Sequence, residues 1–226
     1  MRARQFGLAH NPEVSPNWAR AMDTTAQSAP PNTPATKRRA SHDRDLEIAR
    51  RVDWRYLLPD PRLREVTFIG KPEGILLEAL HLFSERLAVI TPSAERTQMA
   101  VGNSDVAVVR SRERVAIALA SSALRTGGYL YWEVEPSRWR LSLRNNLGAL
   151  RGLGFDEIRV YWCRPNFEDC LEMVPLRKSS VLAFVLSRNF GGMRRWMWRA
   201  VARLFARTGL LAWLMPCRSV VARKAG

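Results

Sequence analysis

Hydrophobic positions along the chain follow two periods in turn, which predict strands alternating with helices. Short runs rich in Val and Ile, apolar at every position or at every second one, predict strands. Longer runs with apolar residues three and four positions apart predict helices. The predicted strands are 64–69, 87–91, 105–110, 129–134, 157–163 and 218–224, and the predicted helices are 43–52, 75–83, 112–124, 141–153, 176–188 and 193–214.

This alternation predicts the fold class. Strands joined through helices form βαβ units, so we expect an α/β, Rossmann-like, mainly parallel sheet with helices on both faces. The segment between Thr91 and Val106 is too short for a helix, a strand and a second helix, because one crossover alone needs about a dozen residues. We therefore expect a sheet shortened between its second and central strands. Gly127 and Gly128 are predicted to end a helix and start the next strand.

The first 42 residues differ from the rest in composition. They combine several prolines with Ala, Ser, Thr and Asn, and they bury too little apolar surface to offset the entropy of ordering. The sequence thus predicts a disordered N-terminal arm at 1–42 and one α/β domain at 43–226, with a basic amphipathic helical insertion at about 176–216. The start shows no apolar run of a secretory signal, and no run approaches the ~20 apolar residues of a spanning helix, which favours a cytoplasmic protein.

The net charge of +15 is concentrated near the C-terminus. All 21 acidic residues lie at or before Glu172, and the 54 residues after it contain 11 Lys and Arg. Such an asymmetry indicates an anionic partner for this part of the chain, either lipid or nucleic acid.

Four arginines give the basic segment its pattern. Arg195, Arg199, Arg203 and Arg207 recur at a spacing of four, with Trp, Leu and Phe over much of the remaining surface. This pattern is typical of a helix lying in a membrane surface, which would place the protein on the inner membrane face. A helix packed on the sheet with its arginines in water is the alternative. Nucleic acid ranks below membrane, because no nucleic-acid module is readable in the sequence.

Cysteine and histidine usage gives no support for a metal site. The three cysteines, Cys163, Cys170 and Cys217, form no Cys-x-x-Cys pair, and only three histidines accompany them. Reduced thiols are the simple interpretation, and a regulatory thiol pair at Cys163 and Cys170 is the alternative.

Five sequence segments carry a resemblance to a known family. They are 66–70, 104–109, 124–130, 150–155 and 219–224. In their order and spacing they resemble the class I S-adenosylmethionine-dependent methyltransferases, over the chain from Val66 onward. The resemblance implies a Rossmann-like sheet whose last strand is antiparallel. It also implies S-adenosylmethionine as cofactor and a small-molecule or lipid-linked substrate.

The resemblance also indicates where the cofactor would bind. Gly70, Lys71 and Gly74 follow the first strand, where the family's glycine-rich turn approaches the methionine part of the cofactor. Thr91 stands near the end of the second strand, where the family has a carboxylate for the ribose, and Glu95 is the nearest acidic residue. Pro72 interrupts the turn and removes one backbone donor.

Two carboxylates are the candidate catalytic groups. Glu133 and Glu135 end a central strand and could act as a base or as acceptors for a substrate proton. The alternative is that at least one of these two glutamates is an ordinary solvent-exposed residue at the end of the strand. A second function also stays open, that of a catalytically inactive methyltransferase-like module that binds a membrane or protein partner through its basic C-terminal helix.

Overall fold

The computed structural model describes residues 34–92, 102–111, 113–134, 142–189, 200, 204 and 215–226. By its internal contacts the chain divides into two compact units, Met1–Ser41 and His42–Gly226. The sheet and the helices that pack on it belong to the second unit. The helices are α1 (Pro34–Arg50), α2 (Ile75–Phe83), α3 (Arg114–Ala123), α4 (Ser142–Gly152) and α5 (Ser179–Asn189), with a 3₁₀ helix at Asp53–Leu57.

Seven strands form one sheet. The strands are β1 (Leu63–Gly70), β2 (Ser84–Ile90), β3 (Ser104–Arg110), β4 (Leu124–Val134), β5 (Phe155–Arg164), β6 (Glu172–Pro175) and β7 (Arg218–Lys224). Their order is β2-β1-β3-β4-β7-β5-β6. The first four are parallel neighbours, while β7 lies antiparallel between β4 and β5, and β6 lies antiparallel on β5. The mainly parallel sheet and its antiparallel last strand are thus confirmed.

Helices cover both faces of the sheet, as predicted. On one face, Ile48 of α1, Trp54 of the 3₁₀ helix and Leu80 of α2 pack against inward-facing strand residues. On the other face, Ile117 of α3 and Leu150 of α4 pack with apolar residues of α5 and the strands. The strand runs are nearly continuous in Val, Ile and Ala because both of their faces are buried, as is usual for the parallel part of an α/β sheet.

The sheet is shortened where the sequence predicts it. β2 ends at Ile90 and β3 begins at Ser104, and these two strands lie on opposite sides of β1. Within the described part of the chain β2 is therefore an edge strand, with no further strand beyond it.

The glycine pair at 127 and 128 occupies a different place from the one predicted. α3 ends at Ala123 and β4 begins at the next residue, so the pair lies inside the strand. The pairing of β3 with β4 shifts register there, and Gly127 has a φ of 78°. A Cβ on Gly128 would lie 3.0 Å from the carbonyl oxygen of Asp105. The two glycines form a β-bulge because the backbone adopts a positive φ and then approaches a neighbouring strand closely.

Two further elements depart from the sequence prediction. α1 begins at Pro34, inside the segment assigned to a disordered arm, and β6 is a strand that the hydrophobic pattern did not indicate. Several predicted features lie outside the described residues, namely Glu95, Glu135, Arg195, Arg199, Arg203, Arg207 and, apart from positions 200 and 204, the helix at 193–214.

Candidate functional site

The carboxyl ends of β1, β3 and β4 lie side by side at Gly70, Arg110 and Val134. In open α/β sheets this edge is where ligands bind. Here the chain that follows α1 covers it. After α1 the backbone turns directly into the 3₁₀ helix, and two side chains of this segment, Arg51 and Trp54, contact residues of β4.

Four charged side chains, which we call the carboxyl-edge cluster, form a ring of alternating charge: Arg51, Glu133, Arg110 and Glu168. Arg51 donates from Nη1 to Glu133 Oε1 at 2.6 Å and from Nη2 to Oε2 at 2.9 Å. Its Nε donates to Glu168 Oε2 at 3.1 Å. Arg110 donates from Nη2 to Glu168 Oε1 at 2.5 Å, and its Nε lies 3.8 Å from Glu133 Oε2. Each arginine therefore bridges both carboxylates.

Burial makes the Arg51–Glu133 pair the rigid part of this cluster. The side chain of Glu133 is fully buried and that of Arg51 is 2% exposed. Burial alone would lower the pKa of Arg51, but the hydrogen bonds and the charge of Glu133 raise it above its ordinary value. Burial alone would raise the pKa of Glu168, but the charges of Arg51 and Arg110 lower it. Arg51 and Glu168 are thus held in their charged forms.

Two aromatic rings continue the cluster over the sheet. Tyr131, two residues before Glu133 on the same strand face, donates its hydroxyl to Glu133 Oε1 at 3.2 Å. Burial and the neighbouring Glu133 raise the pKa of Tyr131, so the phenol stays a protonated donor. The ring of Trp54 stacks on that of Tyr131, with centroids 4.2 Å apart and planes 7° from parallel. This stack fixes the 3₁₀ helix to the middle of β4.

The space left beside the cluster is small. A cavity of about 190 Å³ lies between the 3₁₀ helix and the start of β6, with Arg51, Tyr131 and Cys170 among its lining residues. Cavities that enclose drug-sized ligands measure about 300–1,000 Å³. A wider groove of about 590 Å³ lies near Gly74, but it runs along the outward face of α2 rather than over the strand ends. The cavity at the carboxyl edge is therefore below the usual size for a nucleoside ligand.

The residues predicted to hold S-adenosylmethionine have other roles in the fold. A Cβ on Gly70 would lie 2.7 Å from the carbonyl oxygen of Arg110, so glycine there lets β1 and β3 end side by side. Gly74 has a φ of 99° and begins α2, and Lys71 is exposed. Thr91 is half-buried after β2, where the resemblance implies a carboxylate. With Pro72 in the turn and Arg110 beside Gly74, these residues do not fit the cofactor as the family would hold it.

Glu133 lies at the predicted strand end but not at an open rim. Both of its oxygens accept hydrogen bonds from Arg51, and Oε1 accepts a third from Tyr131. A carboxylate in this state must break those bonds before it can take a substrate proton. In this structure Glu133 has a structural role as the buried partner of Arg51, and its role as a base stays a prediction.

Sequence analysis missed two members of the cluster, Arg51 and Glu168. Arg51 stands in a polar segment that looks solvated, and Glu168 lies in the loop between β5 and β6. One signal was present: Glu133 follows Tyr-Leu-Tyr-Trp in an otherwise apolar strand. A carboxylate buried among such residues needs a cationic partner from elsewhere in the chain.

Two further features of the described chain bear on function. Its helices include none with the length and hydropathy needed to cross a lipid bilayer. Its His, Cys, Asp and Glu side chains include no group of three or more that could hold a metal ion.

Comparison with known proteins gives matches to solved structures. No protein-family model matches the sequence. No curated protein matches it. Similar structures include an S-adenosylmethionine-dependent methyltransferase from Archaeoglobus fulgidus, 15% identical, with a TM-score of 0.43 over 80% of this chain and 94% of that one. A second, from Thermotoga maritima, is 12% identical, with a TM-score of 0.40 over 84% and 97%.

Phosphoethanolamine N-methyltransferase 2 from Haemonchus contortus, in complex with S-adenosyl-L-methionine, is also similar. It is 12% identical and has a TM-score of 0.35. The match covers 73% of this chain and 49% of that one, so the chain spans about half the length of the Haemonchus protein. The open α/β sheet with an antiparallel last strand between β4 and β5 has the form that the sequence resemblance implied.

Proposed function

We propose that this chain is a methyltransferase-like binding module. The segment that follows α1, residues 51–57, is its N-terminal segment and occupies the edge of the sheet where S-adenosylmethionine would bind. The observation that carries this proposal is the buried, two-bonded pair of Arg51 with Glu133. It places protein side chains at the carboxyl edge and engages both carboxylate oxygens of Glu133.

The energy of this pair supports the proposal. Removing one partner of a buried ion pair costs about 3–5 kcal/mol, because the other charge stays buried and unpaired. A cofactor that had to separate Arg51 from Glu133 would lose a comparable amount of binding free energy. That loss would weaken its apparent affinity by on the order of a hundred- to several-thousand-fold.

An S-adenosylmethionine-dependent methyltransferase is the second candidate, and one observation favours it. The turn between β1 and α2 keeps a glycine at each end, Gly70 and Gly74, and residues 71–74 are exposed. This exposed turn leads into the N-terminus of α2, the end of a helix that favours anionic groups such as the carboxylate of a ligand. Under this candidate the N-terminal segment would have to move away from the strand ends.

Titration calorimetry separates the two candidates. We expect no saturable heat when S-adenosylmethionine, or its demethylated product, is added at millimolar concentration, because the carboxyl edge is already occupied. Saturable heat with micromolar affinity would contradict the module and support the enzyme. In that case Lys71→Ala should weaken binding, while Lys178→Ala, which removes an equally exposed lysine after β6, should not.

We further propose that the partner of the module is an anionic membrane surface, bound through the basic segment at about 176–216. The support is the charge distribution of the sequence, since all 21 acidic residues lie at or before Glu172. Four arginines at a spacing of four, with tryptophan and leucine between them, suit the boundary between lipid headgroups and acyl chains.

Vesicle sedimentation tests this partner. We expect binding to vesicles containing phosphatidylserine, weaker binding in high salt, and little binding to pure phosphatidylcholine. The combined change of Arg195, Arg199, Arg203 and Arg207 to Gln should remove about 4 kcal/mol, or on the order of a thousandfold in affinity. A matched variant changes the exposed arginines Arg62, Arg64, Arg86 and Arg159 to Gln and should bind almost as the parent does.

Two results would overturn the membrane proposal. One is equal binding by both quadruple variants, which would mean that the arginines of the basic segment only face solvent. The other is binding to single-stranded RNA without binding to vesicles, which would favour a nucleic-acid partner.

A further inference from the structure

Two cysteines lie on the two arms of the hairpin formed by β5 and β6, beside the carboxyl-edge cluster. Cys163 is the penultimate residue of β5, and Cys170 comes shortly before β6 on the other arm of the same hairpin. The main chain closes the hairpin where the amide of Leu171 donates to the carbonyl of Arg164 at 2.7 Å. The side chains of Cys163 and Cys170 interact with each other, and Cys170 Sγ donates to the carbonyl oxygen of Glu172 at 3.6 Å. All three cysteines of the chain are in the reduced state.

The two thiols differ in environment. Cys163 is buried, and its Sγ donates to Ser219 Oγ at 3.4 Å. Its contact with Cys170 and its burial raise its pKa above the ordinary value, so it stays protonated. Such a thiol is a poor nucleophile toward peroxide, but it can react with a neighbouring cysteine sulfur once that sulfur has been oxidised.

Cys170 has the character of a reactive thiol. It is half-buried and lines the cavity of about 190 Å³ together with Arg51 and Tyr131. The Cys163 thiol, the backbone amide of Arg164 and the charge of Arg51 together lower its pKa to about 7. A thiolate that is partly accessible and close to a cation is the form of cysteine that peroxides oxidise.

We propose that Cys163 and Cys170 form an oxidation site that hydroperoxides convert to a disulfide. The Cys170 thiolate attacks one oxygen of hydrogen peroxide, the O–O bond breaks, and Cys170 becomes a sulfenic acid. The other oxygen leaves as hydroxide, which takes up the proton released when the Cys170 thiol ionised and becomes water. The Cys163 sulfur then attacks the sulfenic sulfur, and the departing hydroxide takes the Cys163 proton and leaves as a second water. Two thiols are oxidised and one peroxide is reduced to two waters.

This site is connected to the carboxyl-edge cluster through the loop that the two cysteines enclose. Glu168 lies in that loop and accepts hydrogen bonds from Arg51 and Arg110. A disulfide would tie the two ends of the loop together and hold Glu168 over both arginines. The proposal goes beyond the binding function, because the chemistry needs only the two thiols and peroxide.

Peptide mapping of the full chain after brief hydrogen peroxide treatment tests the proposal. We expect a Cys163–Cys170 cross-linked peptide, lighter by two hydrogen atoms, and a fall from three free thiols to one, reversed by dithiothreitol. Cys217→Ser should form the same cross-link, which makes it the matched control. In Cys163→Ser the reaction should stop at a Cys170 sulfenic acid that dimedone traps, and Cys170→Ser should show neither product.

The pH dependence of the first step provides a second readout. The charged and titratable groups around Cys170 are Arg50, Arg51, Asp53, Tyr131, Cys163 and Cys217. Alkylation of Cys170 in the Cys163→Ser variant should rise with pH, because only the thiolate reacts. A Cys170–Cys217 cross-link, oxidation of Cys217 alone, or three unchanged thiols under peroxide would each overturn the proposal.

Discussion

Replacement of Glu133 by Ala is expected to lower the free energy of unfolding by about 3–5 kcal/mol. The change removes both acceptors of Arg51 and leaves a guanidinium that is 2% exposed without its main counter-charge. It also removes the acceptor of the Tyr131 hydroxyl. Denaturant unfolding, with the folded signal checked by far-UV circular dichroism, measures the loss.

Two variants separate the loss of the ion pair from a general effect of removing a carboxylate. Glu65→Ala removes a half-exposed partner of Arg86, so it should cost no more than about 1 kcal/mol. The double change Arg51→Met with Glu133→Gln should recover much of the loss, because no unpaired charge stays buried and Gln still accepts from Tyr131. If Glu133→Ala lowers the free energy of unfolding no more than Glu65→Ala does, the Arg51–Glu133 pair is accessible to water in solution. The N-terminal segment would then not cover the carboxyl edge.

Replacement of Trp54 by Ala should cost about 3–5 kcal/mol, the usual range for removing a buried aromatic side chain. Trp54 is 2% exposed and packs with Ile48, Val52 and Tyr131 on one face of the sheet. Removing the indole also removes the stack on Tyr131, worth about 0.5–1.5 kcal/mol within that total. Thermal and denaturant unfolding both report the effect.

Tyr56 provides the matched control for Trp54. It stands in the same 3₁₀ helix but is 63% exposed, so Tyr56→Ala should cost less than about 1 kcal/mol. Trp54→Phe keeps an aromatic ring over Tyr131 and should lose much less than Trp54→Ala. Equal losses for Trp54→Ala and Tyr56→Ala would mean that the 3₁₀ helix is not docked on the sheet.

Much of the fold could be predicted from the local pattern of hydrophobic residues. The residues of α2 are the ones predicted, because Leu76, Ala79 and Leu80 form a clear apolar stripe that meets the sheet. β6 could not be predicted, since four residues ending in Pro175 form a strand only because β5 offers them an open edge. Only the C-terminal part of α1 could be predicted, from the four-residue spacing of Ile48 and Val52, because the residues before Ile48 are mostly polar.

The site was harder to predict, because it depends on contacts between distant parts of the chain. The alternation of side chains along β4 accounts for Tyr131 and Glu133 lying on one strand face, where the two side chains are hydrogen-bonded. It could not indicate that Arg51, 82 residues away, bonds both oxygens of Glu133. Periodicity reports which side of an element is buried, but it contains no information about which distant side chain is buried against it.

The position of β7 has a consequence for how the protein is made. β7 is paired on both sides, with β4 and with β5, although it is formed by residues 218–224. While a ribosome is still adding the preceding residues, β4 and β5 each lack the neighbour that covers them. Open strand edges invite pairing with other chains. The sheet can therefore close only after synthesis of this strand, and until then the edges of β4 and β5 that β7 will cover stay open to pairing with other chains.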